Sequence, residues 1–348
     1  MEKQDRPVRG ATIVDVAARA GVSSMTVSRV INGRSGVSAE TRAAVEQAIK
    51  ALAYTPNVAA RSLVTSSELR IGVIYSNPSA AFMSEFLTGV LEESSARGAR
   101  LMLLKGEGGR PPSTDAVEDL IGSGIGGVLL APPLGEAPEV LRALREAGMT
   151  TAAVGAYQSP ETISVRIDDR AAAYEMTCHL LALGHRRIGF VLGNPDQAAS
   201  AERMAGFYAA VRETGGVEVQ VAQGDFTYAS GLVAGEQLLS AERPPTAIFA
   251  SNDDMAAAIV SVAHRRHLDV PGELAVVGFD DTTAAVTLWP PLTTVHQPVR
   301  QLASEALGLL IAEIATRGGK SRVPREMILD HRIVARQSAA PIGASRGS

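Results

Sequence analysis

Thr12-Ile-Val-Asp-Val-Ala-Ala-Arg-Ala-Gly-Val-Ser-Ser-Met-Thr-Val-Ser-Arg-Val-Ile-Asn32 is the most legible stretch of the chain. Ile13, Val16, Ala17 and Ala20 recur at helical spacing, and Gly21 ends that helix. Ser23 can cap a second helix whose buried stripe is Val27, Val30 and Ile31. Its outer face shows Ser24, Met25, Ser28, Arg29 and Asn32. Ser38 can cap a third helix, over 39–52, that buries Val45, Ile49 and Leu52 beneath the pair. Two short helices about a glycine turn form the layout of a helix-turn-helix, whose second helix enters the DNA major groove.

Charge supports that reading. The net formal charge is −4, but residues 1–62 hold nine basic against five acidic residues, +4, and the remainder holds 24 against 32, −8. A basic head on an acidic body is the asymmetry of a chain that meets phosphate through its head alone. The 348 residues suit two or three packed units, and 46% hydrophobic against 20% charged residues supplies a sizeable core and excludes a disordered chain. Cys178 is the single cysteine, so a disulfide framework and a multi-cysteine zinc site are excluded, and it reads as a small buried hydrophobe in a helix. The charged start Met1-Glu2-Lys3-Gln4-Asp5-Arg6 has no apolar stretch behind it, and no window approaches the roughly 18 apolar residues of a membrane span. A cytoplasmic chain with no membrane partner is expected.

Four segments of the head are recognisable as residues. Asp15-Val-Ala-Ala-Arg-Ala-Gly-Val-Ser23, Thr26-Val-Ser-Arg-Val-Ile-Asn32, Val37-Ser-Ala-Glu-Thr-Arg42 and Tyr54-Thr-Pro-Asn-Val-Ala-Ala-Arg-Ser-Leu63 closely resemble the head of the lactose/galactose-repressor (LacI/GalR) family. The resemblance implies that Ser24, Met25 and Arg29, the first, second and sixth positions of the recognition helix, read bases. Arginine can pair bidentately with guanine, whereas methionine offers apolar contact only. Thr12, Ser23, Thr26, Ser28, Asn32 and the basic residues would position the head on phosphates without reading sequence, and Tyr54 is a further DNA-binding candidate. The segment from Asn57 to Leu63 would be a hinge that turns helical when two copies pair on DNA. Ala60 would then approach the minor-groove floor, and Leu63 would wedge between the central base pairs.

From residue 69 onward strand-like and helix-like runs alternate. Strands are expected over 69–75, 99–105, 127–131, 151–155, 187–193, 217–223, 247–251 and 274–280. Helices are expected over 82–97, 114–122, 138–147, 171–183, 199–213, 228–240, 254–267 and 299–316. This alternation means an α/β fold of parallel sheets with helices on both faces. Leu69-Arg-Ile-Gly-Val-Ile74 and Arg186-Arg-Ile-Gly-Phe-Val191 are nearly the same strand, with Ile71 and Ile188 set 117 residues apart, so two similar lobes are expected. The body also resembles the family's effector domain, which is similar to periplasmic sugar-binding proteins. That likeness implies crossings between lobes near 160–168, 285–296 and 322–326.

Strand ends and the loops after them should face the cleft between lobes. By the resemblance, Arg203, Asn252 and Asp280 hydrogen-bond the effector, Phe226 lines the pocket, and Phe82 stacks on the ligand. Ser76, at the end of the first strand, and Gln297, on the third crossing, are further candidates. An arginine, an amide and a carboxylate converging in a semi-dry cleft suit the paired hydroxyls of a mono- or oligosaccharide. The aspartate that many relatives carry after the strand at 151–154 is replaced by Gly155 and Ala156.

Catalytic readings are weak. Gly122-Ser-Gly-Ile-Gly-Gly127 resembles a dinucleotide loop but leads into a strand. The acidic pairs 168–169, 253–254 and 280–281 point apart when adjacent on one strand or loop, and no base–nucleophile set accompanies them. No enzyme activity, cofactor or metal is expected. The expected organisation is a helix-turn-helix DNA-binding domain over 1–56, a hinge and linker over 57–68, an effector-binding and dimerisation domain over 69–337, and a flexible tail over 338–348. Lobe 1 is expected over about 69–162 and 297–323, and lobe 2 over about 163–290 and 325–337. No leucine heptad follows, so a homodimer on a near-palindromic double-stranded operator is expected, regulating carbohydrate-use genes as a repressor. The alternative is a sugar-binding or sugar-modifying protein whose head no longer binds DNA, and salt-steep binding to duplex DNA separates the two.

Overall fold

The computed structural model describes residues 13–23, 26, 27, 30, 38–52, 69–157, 161–316 and 324–342. Two compact units are present, 1–68 and 69–348. In the first, α1 (Ile13–Ala20) stops at Gly21, whose φ of 64° lies in the left-handed region that suits glycine. Ser23 Oγ then accepts from the Thr26 amide at 3.2 Å and caps the helical residues that follow. Ser38 does the same for Thr41 at the start of α2 (Ala39–Ala51). Val16, Ala17, Val27, Val30, Val45 and Ala48 close one small core, with Ile49 and Leu52 packed against it. Of the residues expected to face DNA, Thr12, Ser24, Met25, Ser28, Arg29, Asn32, Tyr54, Asn57, Ala60 and Leu63 lie outside the described residues.

The second unit alternates strand and helix. It begins β1 (Arg70–Tyr75), α3 (Ala80–Arg97), β2 (Arg100–Lys105), α4 (Thr114–Gly122), β3 (Gly127–Leu130), α5 (Pro138–Glu146), β4 (Thr150–Val154) and β5 (Ile163–Ile167). It continues α6 (Asp169–Ala182), β6 (Arg187–Leu192), α7 (Ala198–Thr214), β7 (Glu218–Gln223), α8 (Tyr228–Leu239), β8 (Ala247–Ala250) and α9 (Asp253–Arg265). It closes with β9 (Ala275–Asp280), α10 (Thr283–Thr287), β10 (Thr293–His296), α11 (Val299–Ala315), β11 (Glu326–Leu329) and β12 (Arg332–Val334). The strands form two six-stranded sheets, β11-β5-β4-β3-β1-β2 and β12-β10-β9-β8-β6-β7. All pairings are parallel except that of β12 with β10. Central strands such as β3 and β8 are buried throughout, which explains their unbroken apolar sequences.

The two lobes repeat one device at one spacing. Gly89 on α3 and Gly206 on α7 are 117 residues apart, as Ile71 and Ile188 are. A Cβ on Gly89 would run into the Arg300 carbonyl of α11, and one on Gly206 into the Arg170 carbonyl of α6. Each lobe therefore seats a helix pair at backbone contact through one glycine. Gly206→Ala is expected to lower stability by about 1–3 kcal/mol despite the better helix propensity of alanine. Thermal unfolding checks this, and an unchanged midpoint would mean the helices part without cost.

Two expectations change. Residues 163–167, assigned above to lobe 2, form β5 and pair with β4 of the first sheet, and β11 pairs with β5. The apolar alternation Ile163, Val165, Ile167 buries these residues, so both strands extend lobe 1 before the chain crosses. Conversely, β10 joins the second sheet before α11 returns to pack on α3. The expected flexible tail is docked through residue 342. Ser338 is buried, its Oγ accepting from the Thr293 amide at 2.8 Å and donating to the Val276 carbonyl at 2.6 Å, and the Ile342 amide donates to the Leu183 carbonyl at 3.0 Å.

Candidate functional site

In both sheets the strand order reverses, at β1 between β2 and β3 and at β6 between β7 and β8. Crevices outside the carboxyl ends of such strands are where open α/β sheets bind ligands. Here the two crevices contribute to one cavity of about 50 Å3. Phe82, Arg203, Phe226, Asn252, Asp280 and Gln297 all line it. Ser76 does not. It is buried at the end of β1 beside Gly106, and Asn77 and Ser79 line the cavity from that loop instead.

Arg203, on the first turns of α7, is 5% exposed. Its Nε donates to Asp169 Oδ1 at 2.8 Å and its Nη1 to the Ser251 carbonyl at 2.5 Å, while the guanidinium lies 3.6 Å from the Phe279 ring centre. The second Asp169 oxygen accepts from the Tyr157 hydroxyl at 2.8 Å. Burial and the Asp169 charge hold that phenol above its ordinary pKa, so it stays a donor. Arg166 sits 4.3 Å over the Tyr157 ring and pairs with Glu326 at 2.8 Å. Both arginines lining the cavity thus have carboxylate partners, and an anionic ligand meets no free cation among the described lining residues.

Asp280 ends β9 and accepts from Gln297 Nε2 at 2.5 Å. Burial pushes its carboxyl well above the ordinary range, although Arg203 opposes the shift. Asn252 caps α9 by accepting from the Met255 amide at 2.9 Å, and its Nδ2 donates to the Phe226 carbonyl at 2.9 Å. That bond holds Phe226 at a φ of 71°, with its ring laid on Gly193, where a Cβ would collide with it. Asp280 and Asp281, at φ of 112° and 58°, share this left-handed backbone. Such strain is held only where surroundings over-determine it, and it clusters at binding sites.

The acidic pairs 168–169 and 280–281 do point apart. Asp168 caps α6 while Asp169 turns to Arg203, and Asp280 faces Gln297 while Asp281 binds Arg336 and His296. Asp253 is a fully buried brace. Its Oδ2 accepts from the amide and hydroxyl of Thr282 and its Oδ1 from the Thr294 hydroxyl. Sequence reading missed Glu136, Arg166, Asp169 and Gln197 as lining residues. The strand-end rule would have reached Glu136, which follows β3, and Gln197, which follows β6. Among the described residues no group of three His, Cys, Asp or Glu side chains could hold a metal ion.

A helix-turn-helix core and a two-lobed body with a polar cleft define a DNA-binding regulator with a small-molecule receptor. The pattern for periplasmic binding protein-like domains matches residues 177–339, and that for bacterial regulatory proteins of the lacI family matches 12–57. The HTH-type transcriptional regulator CelR of Thermobifida fusca is 35% identical over 348 residues, covering 97% of this chain and 100% of its own. The chain belongs to the lacI family of bacterial transcriptional regulators. A solved CelR–cellobiose complex matches with a TM-score of 0.70 and 33% identity, covering 94% of this chain and 100% of that one. The lac repressor dimer bound to operator and the anti-inducer ONPF matches with a TM-score of 0.76 and 27% identity, over 95% and 100%. These relatives are regulators, not enzymes. Among the described residues no helix is long and apolar enough to cross a membrane.

Proposed function

We propose that the chain is a cytoplasmic, homodimeric repressor of carbohydrate-use genes whose operator affinity is set by a neutral mono- or oligosaccharide in the cleft. The observation that carries the ligand class is the pairing of every cavity arginine with a carboxylate, beside the rings of Phe82 and Phe226. Such a site accepts hydroxyls and sugar C–H faces and has no counter-ion for a phosphate or carboxylate ligand. The cellobiose bound by CelR supports a saccharide of that size. In this reading Arg203, Asn252, Asp280 and Gln297 hydrogen-bond the ligand. Ser24, Met25 and Arg29 read bases, Thr12, Ser23, Thr26, Ser28, Asn32 and the basic residues of the head contact phosphates, Tyr54 is a further DNA contact, and the segment from Asn57 to Leu63 kinks the operator centre. Ligand binding changes the closure of the lobes and shifts DNA affinity by about 1–3 kcal/mol.

The test is selection of bound duplexes from a random pool, with and without mono- and disaccharides. A palindrome whose recovery changes with one neutral sugar is expected, with binding that weakens steeply with salt. Arg29→Ala should cost about 1–3 kcal/mol and relax preference at one position per half-site. Failure to enrich any duplex would overturn the reading, and a response to a sugar phosphate alone would overturn the ligand class.

A further inference from the structure

One helix at the cleft is capped from the wrong side. The cap residue of α7 is Gln197, which makes no side-chain cap bond. The Gln197 carbonyl accepts from the Ser200 amide at 3.0 Å, but no neighbouring side chain serves the Ala198 amide. This 17-residue helix thus begins at the cavity with its leading donor and the positive end of its dipole uncapped by its own sequence. The acceptor comes from the other lobe. Glu136, which ends the 3-10 turn Leu134–Glu136 after β3, accepts from the Ala198 amide on Oε2 at 2.9 Å and from the Tyr157 amide on Oε1 at 3.2 Å. One oxygen therefore holds the first lobe and the other holds the second. Gln197 is 7% exposed and lines the same cavity, and its Nε2 has no acceptor.

An unpaired buried amide donor is unfavourable, so Gln197 is a donor that a ligand can satisfy. The clasp also bears on size. With Glu136 in place the cavity is about 50 Å3, whereas pockets for small molecules start near roughly 300 Å3. A saccharide must part the lobes, and the Glu136–Ala198 hydrogen bond is a contact that parting breaks.

We propose that the α7 N-terminus, with Gln197 Nε2 and the Ala198 amide as donors, is a further hydroxyl-binding subsite of the cleft, and that Glu136 is its built-in competitor. Glu136 caps α7 across the cleft until an effector hydroxyl takes its place. A hydroxyl oxygen has two lone pairs and serves both donors, whereas Glu136 serves Ala198 and leaves Gln197 unpaired. The subsite rests on the saccharide reading above, but the clasp does not.

The clasp is tested without sugar, by hydrogen exchange on the full chain. In Glu136→Ala the α7 N-terminal peptide should exchange about tenfold faster while α6 stays unchanged. Glu136→Gln, with one acceptor oxygen for two amides, should show a smaller effect in the same direction. Unchanged exchange in both variants, with thermal midpoints near wild type, overturns the clasp whatever the effector is. The subsite is tested by calorimetric titration with cellobiose. Gln197→Ala should bind about tenfold more weakly, and Glu136→Ala several-fold more tightly, because a competing closed state is removed. Wild-type affinity in Gln197→Ala overturns the subsite. Weaker binding in Glu136→Ala makes Glu136 a ligand contact and overturns the competition. If wild type binds no cellobiose, the choice of saccharide fails and the exchange result still decides the clasp.

Discussion

Arg203→Ala is expected to cost the ligand-binding body about 3–5 kcal/mol and to abolish its response to effector. The stability loss follows from what the side chain leaves behind. Asp169 is 3% exposed and would keep only the Tyr157 hydroxyl, while the Ser251 carbonyl would lose its donor and Phe279 the plate against its ring. A buried carboxylate without its cation is among the few defects that reach this size. Urea unfolding of the variant measures it, and a loss under about 1 kcal/mol would mean that water reaches Asp169 in the folded protein. Adding Asp169→Asn should recover much of the stability but none of the effector response, because the amide removes the stranded charge without restoring a guanidinium. Arg203→Lys should fold well and bind effector poorly, since an ammonium cannot both pair with Asp169 and reach Ser251 as a planar fork.

Asp253→Ala should cost about 2–4 kcal/mol, because Thr282 would lose the acceptor for its amide and both threonine hydroxyls theirs. Asp253→Asn separates the charge from the bracing. Its oxygen can face the Thr282 amide while its NH2 donates to the Thr294 hydroxyl, so the fold should survive. The two variants also differ in pH dependence. Burial pushes the Asp253 carboxyl up to about 7, against the hydrogen bonds from Thr294 and Thr282. In the unfolded chain it titrates near 3.9, at roughly the ordinary aspartate value. The folded state therefore holds this proton more tightly, so the stability from this group is complete below about pH 4 and is lost as pH rises through about 7. Wild type should lose stability across that window relative to Asp253→Asn. Parallel stability–pH curves for the two would show that Asp253 is ionised throughout.

Much of the molecule was legible because the signals were local. The head could be read from one glycine turn, two serine caps and a helical apolar stripe, each acting within a few residues. The body could be read from runs such as Arg-Ile-Gly-Val-Ile and Arg-Ile-Gly-Phe-Val, whose burial on both faces demands unbroken apolar sequence. The crossovers were not legible in that way. β5, β10, β11 and β12 are three to five residues long, too short for periodicity to mark them, and β11 and β12 exist because β5 and β10 offer them an edge. The docked end was misread because Ser338 is polar, and only the fold supplies the Thr293 amide and Val276 carbonyl that let it be buried.

The cleft divides along the same line. Strand-end position placed Phe82, Arg203, Phe226, Asn252, Asp280 and Gln297 around one cavity by the resemblance and the α/β rule, because topology sends those loops to one edge. That Arg203 is already neutralised by Asp169, and that Glu136 caps a helix of the opposite lobe, depends on pairs 34 and 62 residues apart in sequence. Sequence by itself determined the class of fold, the DNA-binding head and the residues that gather at the cleft, since these follow from local helix and strand patterns and a specific motif. Tertiary structure alone decided which charges in the cleft are spent and which donor is left over, because a hydrogen bond needs its partners within about 3 Å and nothing local brings them there.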